Sequence, residues 1–253
     1  MYRTLTLALA AALMAPLSQA MAEVHLNARC EIDSAYDLTV ETDALRFQRN
    51  GGPAIEFADG RVRIDGVEQT ISAGDRDRVV QFEQEVRRLL PEVRQIAGEA
   101  VEIAFTALQG VITSFSSEAN RGEFERELSA LRAEIDRAIA SAHSTRIIED
   151  QLFEQRVEEF ATRLAPRLAG EFAAAAVSAA LSGDEARASE IEQRAEQLSR
   201  EVEASVEAPA KALEARVNAL CPRVQALDQI DDALELRLPD GKPLQLFEVD
   251  QEA

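Results

Sequence analysis

The fold class follows from residues 61–86, RVRIDGVEQTISAGDRDRVVQFEQEV, because the hydrophobic period changes inside this stretch. Val62 and Ile64 alternate with arginines, the period of two that is typical of a strand with one buried face. Asp65-Gly66 then supplies the residues of a tight turn. After Ser72 the apolar residues recur every three or four positions instead. The stretch therefore predicts a sheet that ends near residue 72 and a long helix that begins there.

Residues 23–72 are predicted to form a small antiparallel β-meander of four or five short strands. Asn50-Gly51-Gly52 and Asp59-Gly60 supply the glycines that hairpin turns need, because glycine adopts positive φ angles without strain. Three segments alternate clearly between apolar and polar residues: 38–40, 45–47 and 62–64.

Residues 73–222 are predicted to form a long, mainly antiparallel helical bundle. Ser72 and Asp75 are a capping pair for a first helix that reaches residue 115, and Pro91 is expected to kink it. Further apolar stripes predict a second helix after residue 122, a third over 144–183 and a fourth over 184–221. Short connections favour antiparallel packing. The stripe of the first helix consists of Val79, Phe82, Val86, Leu89, Val93, Ile96, Ala100 and Ile103.

Residues 223–253 return to a strand pattern in the predicted C-terminal hairpin and tail. A Pro-Asp-Gly-Lys turn at 239–242 separates two short alternating segments, so the hairpin could join the N-terminal sheet. The predicted fold class is therefore α+β, and residues 23–253 are expected to form one domain. The alternating apolar residues are Leu234, Leu236, Leu238, Leu244 and Leu246.

Residues 1–22 have the pattern of a secretory signal peptide, with Arg3 before an apolar run and a small-residue cleavage motif. Cleavage between Ala22 and Glu23 fits this motif, and cleavage after Ala20 fits nearly as well. The alternative is an uncleaved anchor helix, but the apolar run is shorter than the ~20 residues that a membrane span needs. The pattern predicts an exported protein with no transmembrane span in the mature chain.

Cys30 and Cys221 are the chain's two cysteines, and export would expose both to an oxidising compartment. We therefore expect a Cys30–Cys221 disulfide, with two free buried thiols or an intermolecular bridge as the alternatives. There is no C-x-x-C spacing, which argues against a catalytic redox role.

Composition excludes several classes of function. The formal net charge of −19 argues against binding to nucleic acid or to anionic lipid. The two histidines, His25 and His143, fall in different zones and cannot alone form a closed zinc site. The acidic residues near 228–232 lack the rhythm of a calcium loop. No nucleotide-binding or nucleophile motif is present, so we expect no cofactor, no metal and no enzymatic activity.

The alanine-rich run at 173–180 has two interpretations. Small residues allow two helices to approach closely, which favours a packing seam, whereas an exposed face could contact a membrane or an apolar ligand. Charged residues at 171 and 184 make the run too short to span a bilayer.

The chain resembles the YggN-like family of exported, uncharacterised proteins of Gram-negative bacteria. The resemblance rests on the leader-like segment, Cys30, Cys221, the run DGRVRIDG at 59–66, and a set of positions in the first helix. It implies a periplasmic location and an unassigned function, and it supplies no catalytic residues. The first-helix positions are Arg76, Phe82, Glu85, Arg87 and Leu90-Pro91.

These observations favour a non-enzymatic binding or interaction protein of the cell envelope. The apolar stripes are wider than one partner helix needs, so an apolar ligand or a protein partner is expected to bind between the helices. One alternative is a hydrolase that uses two carboxylates in a groove between sheet and bundle. Another is a structural envelope protein whose helices form a coiled-coil-like oligomer.

Overall fold

The computed structural model describes residues 30–145, 159, 162–164, 166–170, 173–174, 177–178 and 185–251 of the chain. The predicted signal peptide and its cleavage between Ala22 and Glu23 lie outside these residues, as does His25. Much of the third predicted helix also lies outside them, although residues 162–164 and 166–170 are helical.

The predicted β-meander is confirmed. Strands β2 to β6 follow one another in sequence order in a five-stranded antiparallel sheet, while β1 and β7 form a separate antiparallel pair. The bounds are β1 Cys30–Asp33, β2 Asp37–Val40, β3 Leu45–Gln48, β4 Ile55–Ala58, β5 Arg61–Ile64, β6 Val67–Glu68 and β7 Glu248–Gln251.

The alternating sequence places one face of the meander in the protein and the other in solvent. Leu45 and Phe47 of β3 are buried while Arg46 and Gln48 are exposed. The hairpin turns use the predicted glycines, since Gly60 has φ +71° in the β4–β5 turn.

Three long helices are described: α1 Ala73–Phe115, α2 Glu118–Ser141 and α3 Glu185–Asp232. The predicted cap of α1 is confirmed, because the Asp75 amide donates to Ser72 Oγ over 3.0 Å. Pro91 lies within the continuous helix.

The end predicted for the last helix, at Cys221, is wrong. α3 continues through Pro222 to Asp232. Proline removes one backbone hydrogen bond from a helix. The additional turns, however, place Leu227 in the hydrophobic core, and we infer that this burial outweighs the lost bond.

The first core lies between the five-stranded sheet, the first turns of α1, the last turns of α3 and the tail. Phe47, Phe57 and Phe82 meet edge to face there, with ring centroids 5.4–6.0 Å apart. Its buried members are Tyr36, Leu45, Phe47, Ile55, Phe57, Val62, Ile64, Val79, Phe82, Val86, Leu89, Leu227, Leu234, Leu236, Leu238, Leu244 and Leu246.

The predicted C-terminal hairpin contributes its leucines to the first core but does not join the five-stranded sheet. The Leu244 amide donates to Leu236 O over 2.9 Å, so the two segments turn back on each other as expected. The strand that follows, β7, pairs with β1, with Cys30 opposite Gln251. The C-terminal strand therefore joins the N-terminal strand in a second, smaller sheet.

The second core lies farther along the helices. Arg167 lies over the Phe124 ring, 4.5 Å from its centroid, and attaches the helical residues 166–170 to α2. After α2 the chain returns to the open edge of β2, where the Val40 amide donates to His143 O over 2.6 Å. The buried members of this core are Phe105, Ile112, Phe124, Leu128, Ile135 and Leu164.

Candidate functional site

Helix α1 buries two different faces along its length. Near the sheet, Phe82 and Leu89 belong to the first core. Farther along, Phe105 and Ile112 belong to the second core and pack toward α2. At 3.6 residues per turn, the 23 positions from Phe82 to Phe105 rotate the second buried face from the first by about 140°. The helix therefore changes its buried face between residues 89 and 101.

The predicted apolar stripe of α1 is buried only in its first half. Beyond Leu89 the stripe continues through apolar residues that belong to neither core of the described chain. Val93 is 39% exposed, and the later residues of the stripe are half-buried. This second half of the stripe consists of Val93, Ile96, Ala100, Ile103, Ala107 and Val111.

Helix α3 packs antiparallel to α1 on this side. A Cβ placed on Gly110 would lie 3.4 Å from Val202 Cγ2 and 3.9 Å from Leu198 Cδ1, so the two backbones approach closely there. Half-buried apolar residues of α3 also lie outside both cores: Val202, Val206, Ala210 and Val217. We call this set, together with the second half of the α1 stripe, the α1–α3 seam.

The seam includes the most apolar part of α1. Between Ile96 and Thr113 the charged residues are Glu99 and Glu102 alone. By length and composition, Ala73–Ser114 would qualify as a membrane-crossing helix, and only 11% of its most apolar window is buried. Core helices of other proteins pass the same test, so one such helix is weak evidence for a span. The observation that matters here is the low burial of so apolar a segment.

Ion pairs join α1 to α3 along the seam. Arg223 contacts Glu85 and Glu92, each at 2.6 Å, and Arg216 pairs with Glu99. The hydrogen bond from Arg223 lowers the pKa of Glu85, and the bonds to Glu92 and Glu85 raise the pKa of Arg223. Partly exposed pairs of this kind stabilise a fold by at most about 1 kcal/mol each, so their main effect is to set the register of the two helices.

A small cavity lies where α1 ends, α2 begins and α3 passes. Its volume is about 420 Å³, and its lining is mainly polar. Arg121 donates from Nη2 to Thr113 O over 3.1 Å, while its Nε is buried without a partner. Hydrogen-bonding walls of this kind suit water or a polar solute better than an apolar ligand. The lining residues are Thr113, Ser114, Ser116, Arg121, Gln197, Leu198 and Glu201.

A second cavity, of about 280 Å³, lies where the β4–β5 turn meets α1. Glu83 is buried beside it and accepts hydrogen bonds from the amides of Asp59 and Gly60, over 3.2 and 3.1 Å. The carboxylate is therefore occupied in holding the hairpin on the helix.

Asp231 is the acidic residue that comes nearest to the requirement of the hydrolase hypothesis. Burial raises its pKa to about 6. It lines neither cavity, however, and its Oδ2 accepts hydrogen bonds from the Leu246 and Phe247 amides. Among the described residues no three His, Cys, Asp or Glu side chains are grouped so that they could hold a metal ion.

The other residues that the sequence analysis singled out, the cysteines, His143 and the alanine-rich run, do not form a common site in the described part of the chain. Cys221 is buried. The side chain of Cys30 is outside the described atoms, so the Cys30–Cys221 pairing stays a prediction. His143 is exposed, and within the alanine-rich run the described residues Ala173, Ala174, Val177 and Ser178 are exposed as well. Those four positions therefore do not form a buried contact between helices.

Comparison with known protein families identifies the chain's relatives. A family described as "Protein of unknown function (DUF2884)" matches residues 30–247, which is most of the chain. The chain belongs to this family. The DUF2884 match extends from β1 through α3 and the buried leucines of the tail, so it includes both cores and the α1–α3 seam.

Curated relatives agree with the resemblance seen in the sequence. The chain is 25% identical over 109 residues to "Uncharacterized protein YggN" of Escherichia coli strain K12, and the same figures hold for the protein of that name in E. coli O157:H7. The match covers 43% of this chain and 46% of the relative, so it spans less than half the length of these proteins. The YggN-like family prediction is confirmed. No solved structure matches the chain.

Proposed function

We propose that this DUF2884 protein is a non-enzymatic binding protein of the bacterial cell envelope, and that its α1–α3 seam binds an apolar ligand. A protein partner with an apolar face is the alternative occupant. The family assignment does not identify an activity, so the proposal rests on the seam itself.

A single observation carries the proposal: the second half of the α1 stripe is apolar but belongs to neither core. Ile96, Ile103 and Val111 remain half-buried although α3 packs beside them. Covering such a surface would gain roughly 25 cal/mol per Å² of apolar area removed from water. An elongated apolar ligand that lies along the two stripes would obtain this gain without a cavity.

The remaining chemistry of the chain supports a binding role. The formal charge of −19 disfavours phosphate-rich partners and anionic membrane surfaces. Residues 1–22 have the pattern of a signal peptide, which supports export, and we propose a periplasmic location on this basis. A ligand without negative charge is the class that this charge distribution favours.

Uptake of the neutral fluorescent probe N-phenyl-1-naphthylamine tests the proposal. The wild-type chain should bind the probe saturably. Ile103→Glu should weaken binding at least 10-fold, because it places a charge in the apolar seam. Thr106→Glu is the matched control, since it adds the same charge at an exposed position of the same helix and should leave binding unchanged.

The outcomes separate the hypotheses. Absence of probe binding, or equal loss in both variants, would contradict a ligand site in the seam. Sedimentation that shows a dimer in the wild type and a monomer in Ile103→Glu would assign the seam to a second copy and favour the structural-oligomer alternative. Native mass spectrometry of protein taken from the envelope would show a bound lipid directly.

A further inference from the structure

The C-terminal tail, residues 233–251, is held at a buried junction beneath the end of α3. Asp231 Oδ2 accepts hydrogen bonds from the amides of Leu246 and Phe247, over 2.7 and 3.3 Å. From the other side, Ser34 Oγ donates to Leu246 O over 2.7 Å. One carboxylate oxygen therefore binds both of these tail residues, and the hydroxyl binds Leu246 as well.

Two buried oxygens at this junction have no hydrogen-bond partner: Asp231 Oδ1 and Tyr36 Oη. Asp231 is 1% exposed and Tyr36 7% exposed, so bulk solvent does not reach these two oxygens. A buried carboxylate with one unpartnered oxygen is unfavourable, because the charge has lost its hydration without full compensation. Protonation at Oδ1 would remove the charge and leave Oδ2 free to accept both amides.

The neighbouring carboxylates on α3 also favour protonation of Asp231. On α3, Asp228 and Asp232 repel a negative charge at Asp231, and burial together with this repulsion raises the Asp231 pKa to about 6. Asp231 in turn helps to raise the pKa of Tyr36, for which burial is the largest cause.

Within the described part of the chain, the surrounding elements supply no cation that binds Asp231 directly. Arg49 lies over the Tyr36 ring, 5.2 Å from the centroid, and lowers the Tyr36 pKa, while Asp240 of the tail turn raises it. The polar contacts of the Asp231 carboxylate in the described chain are thus the two tail amides.

We propose that Asp231 is a proton-operated latch for the C-terminal tail, which docks more tightly when this carboxyl is protonated and more loosely when it is ionised. The proposal is independent of the ligand site in the seam, since the latch lies at the sheet end of the molecule.

Loosening of the latch would affect more than the tail. β7 is the strand that pairs with β1, so undocking of the tail leaves the hydrogen-bonding edge of β1 unpaired. It also moves Phe247, whose ring lies 6.1 Å from that of Phe82 in the first core. The latch therefore controls access to an apolar surface and to a strand edge.

The direction of the pH effect follows from linkage. A carboxyl whose pKa is about 6 when the tail is docked, and 3.8 without that environment, takes up protons on docking. Docking is therefore favoured at low pH, and this advantage is lost as the pH rises through about 6. A shift of about two pKa units corresponds to roughly 100-fold in the docking equilibrium.

Hydrogen exchange on the full chain tests the latch, with the amides of Leu246 and Phe247 as reporters. After correction for the intrinsic rate, their protection should rise between pH 7.5 and 4.5 by up to roughly 25-fold, because the full effect of roughly 100-fold is reached only below the reference pKa of 3.8. Amides of the five-stranded sheet serve as an internal reference for global unfolding. Asp231→Asn keeps an oxygen for the tail amides but cannot titrate, so its protection should be independent of pH. Asp232→Asn, at an exposed neighbouring position, should largely retain the wild-type response.

Protection that does not change with pH in the wild type would overturn the proposal. A pH response of equal size in Asp231→Asn would also overturn it, because another group would then be responsible. If Asp231→Asn fails to fold, a carboxyl carbon NMR titration of the wild type gives the decision: a midpoint near 4 rather than near 6 rejects the latch.

Discussion

The two halves of α1 differ in how completely the fold covers them. Near the sheet, Phe82 is 1% exposed and contacts aromatic rings from β3, β4 and the tail. Beyond Leu89 the same stripe continues with Ile96 and Ile103, which stay half-buried on the side of α1 that faces α3. The stripe is apolar in both halves.

This difference shows that an amphipathic stripe marks a helix face that can be buried, but does not show whether another element covers that face. The sheet end is closed by elements distant in sequence, with the meander on one side and the tail on the other. At the far half, α2 takes the face that carries Phe105, and the stripe of Ile96 and Ile103 is left to α3. The covered half is expected to determine stability, and the open half to determine binding.

The strongest test of this comparison truncates one side chain in each half. Phe82→Ala should lower the free energy of unfolding by about 3–5 kcal/mol, because it leaves a cavity among fully buried rings. Ile96→Ala should lower it by about 1 kcal/mol or less, since the residue is only half-buried. Urea denaturation measures both. Equal losses would show that the two halves of α1 are packed alike.

The second test concerns the cysteines at the sheet end. If Cys30 and Cys221 are paired, Cys221→Ser should lower the free energy of unfolding by about 2–5 kcal/mol, because the crosslink restricts the unfolded chain. Reduction of the wild type with dithiothreitol should have a similar effect. An intact mass that is two hydrogens below the reduced value would establish the bond, whereas two alkylatable thiols in the untreated protein would reject it.

The smallest effects compare two glycines. Gly60 has φ +71°, and a Cβ there would lie 2.8 Å from Arg76 Cγ and 2.9 Å from Val80 Cγ2. Gly60→Ala should therefore destabilise the protein by about 1–2 kcal/mol. Gly98, in the open half of α1, has no atom within 4 Å of an added Cβ. Gly98→Ala should stabilise by about 0.5–1 kcal/mol through helix propensity. Destabilisation at Gly98 would mean that this region is more tightly packed than the comparison allows.

Local sequence patterns were sufficient to predict the strands, the turns and the helix start near the sheet. The alternation at 45–47, the glycine turns at 51 and 60, and the Ser72 cap were all predicted and are present. The helix end at Cys221 was predicted wrongly, because a proline signal is local whereas the burial of Leu227 depends on elements far away in the sequence.

The candidate sites were less predictable for the same reason. Asp231 was considered only as a weak calcium ligand, and nothing in the residues near it indicates that the amides of Leu246 and Phe247 would reach its carboxylate. The open half of the α1 stripe was likewise included in one continuous pattern with the buried half. Both sites are formed by segments that are far apart in the sequence and come together in the fold. The hydrophobic period of a segment does not indicate which other segment it will contact.

The sequence by itself determined the α+β class, the glycine turns of the meander and the start of α1 at Ser72, since these depend on local hydrogen bonding and on period. It also indicated the YggN-like family, through the resemblance of particular residues. Only the tertiary structure decided that β7 pairs with β1, that the chain after α2 returns to the edge of β2, and that α1 has one covered and one open half. These depend on contacts between residues far apart in the chain, where many pairings satisfy the same pattern and only packing of the whole molecule selects one.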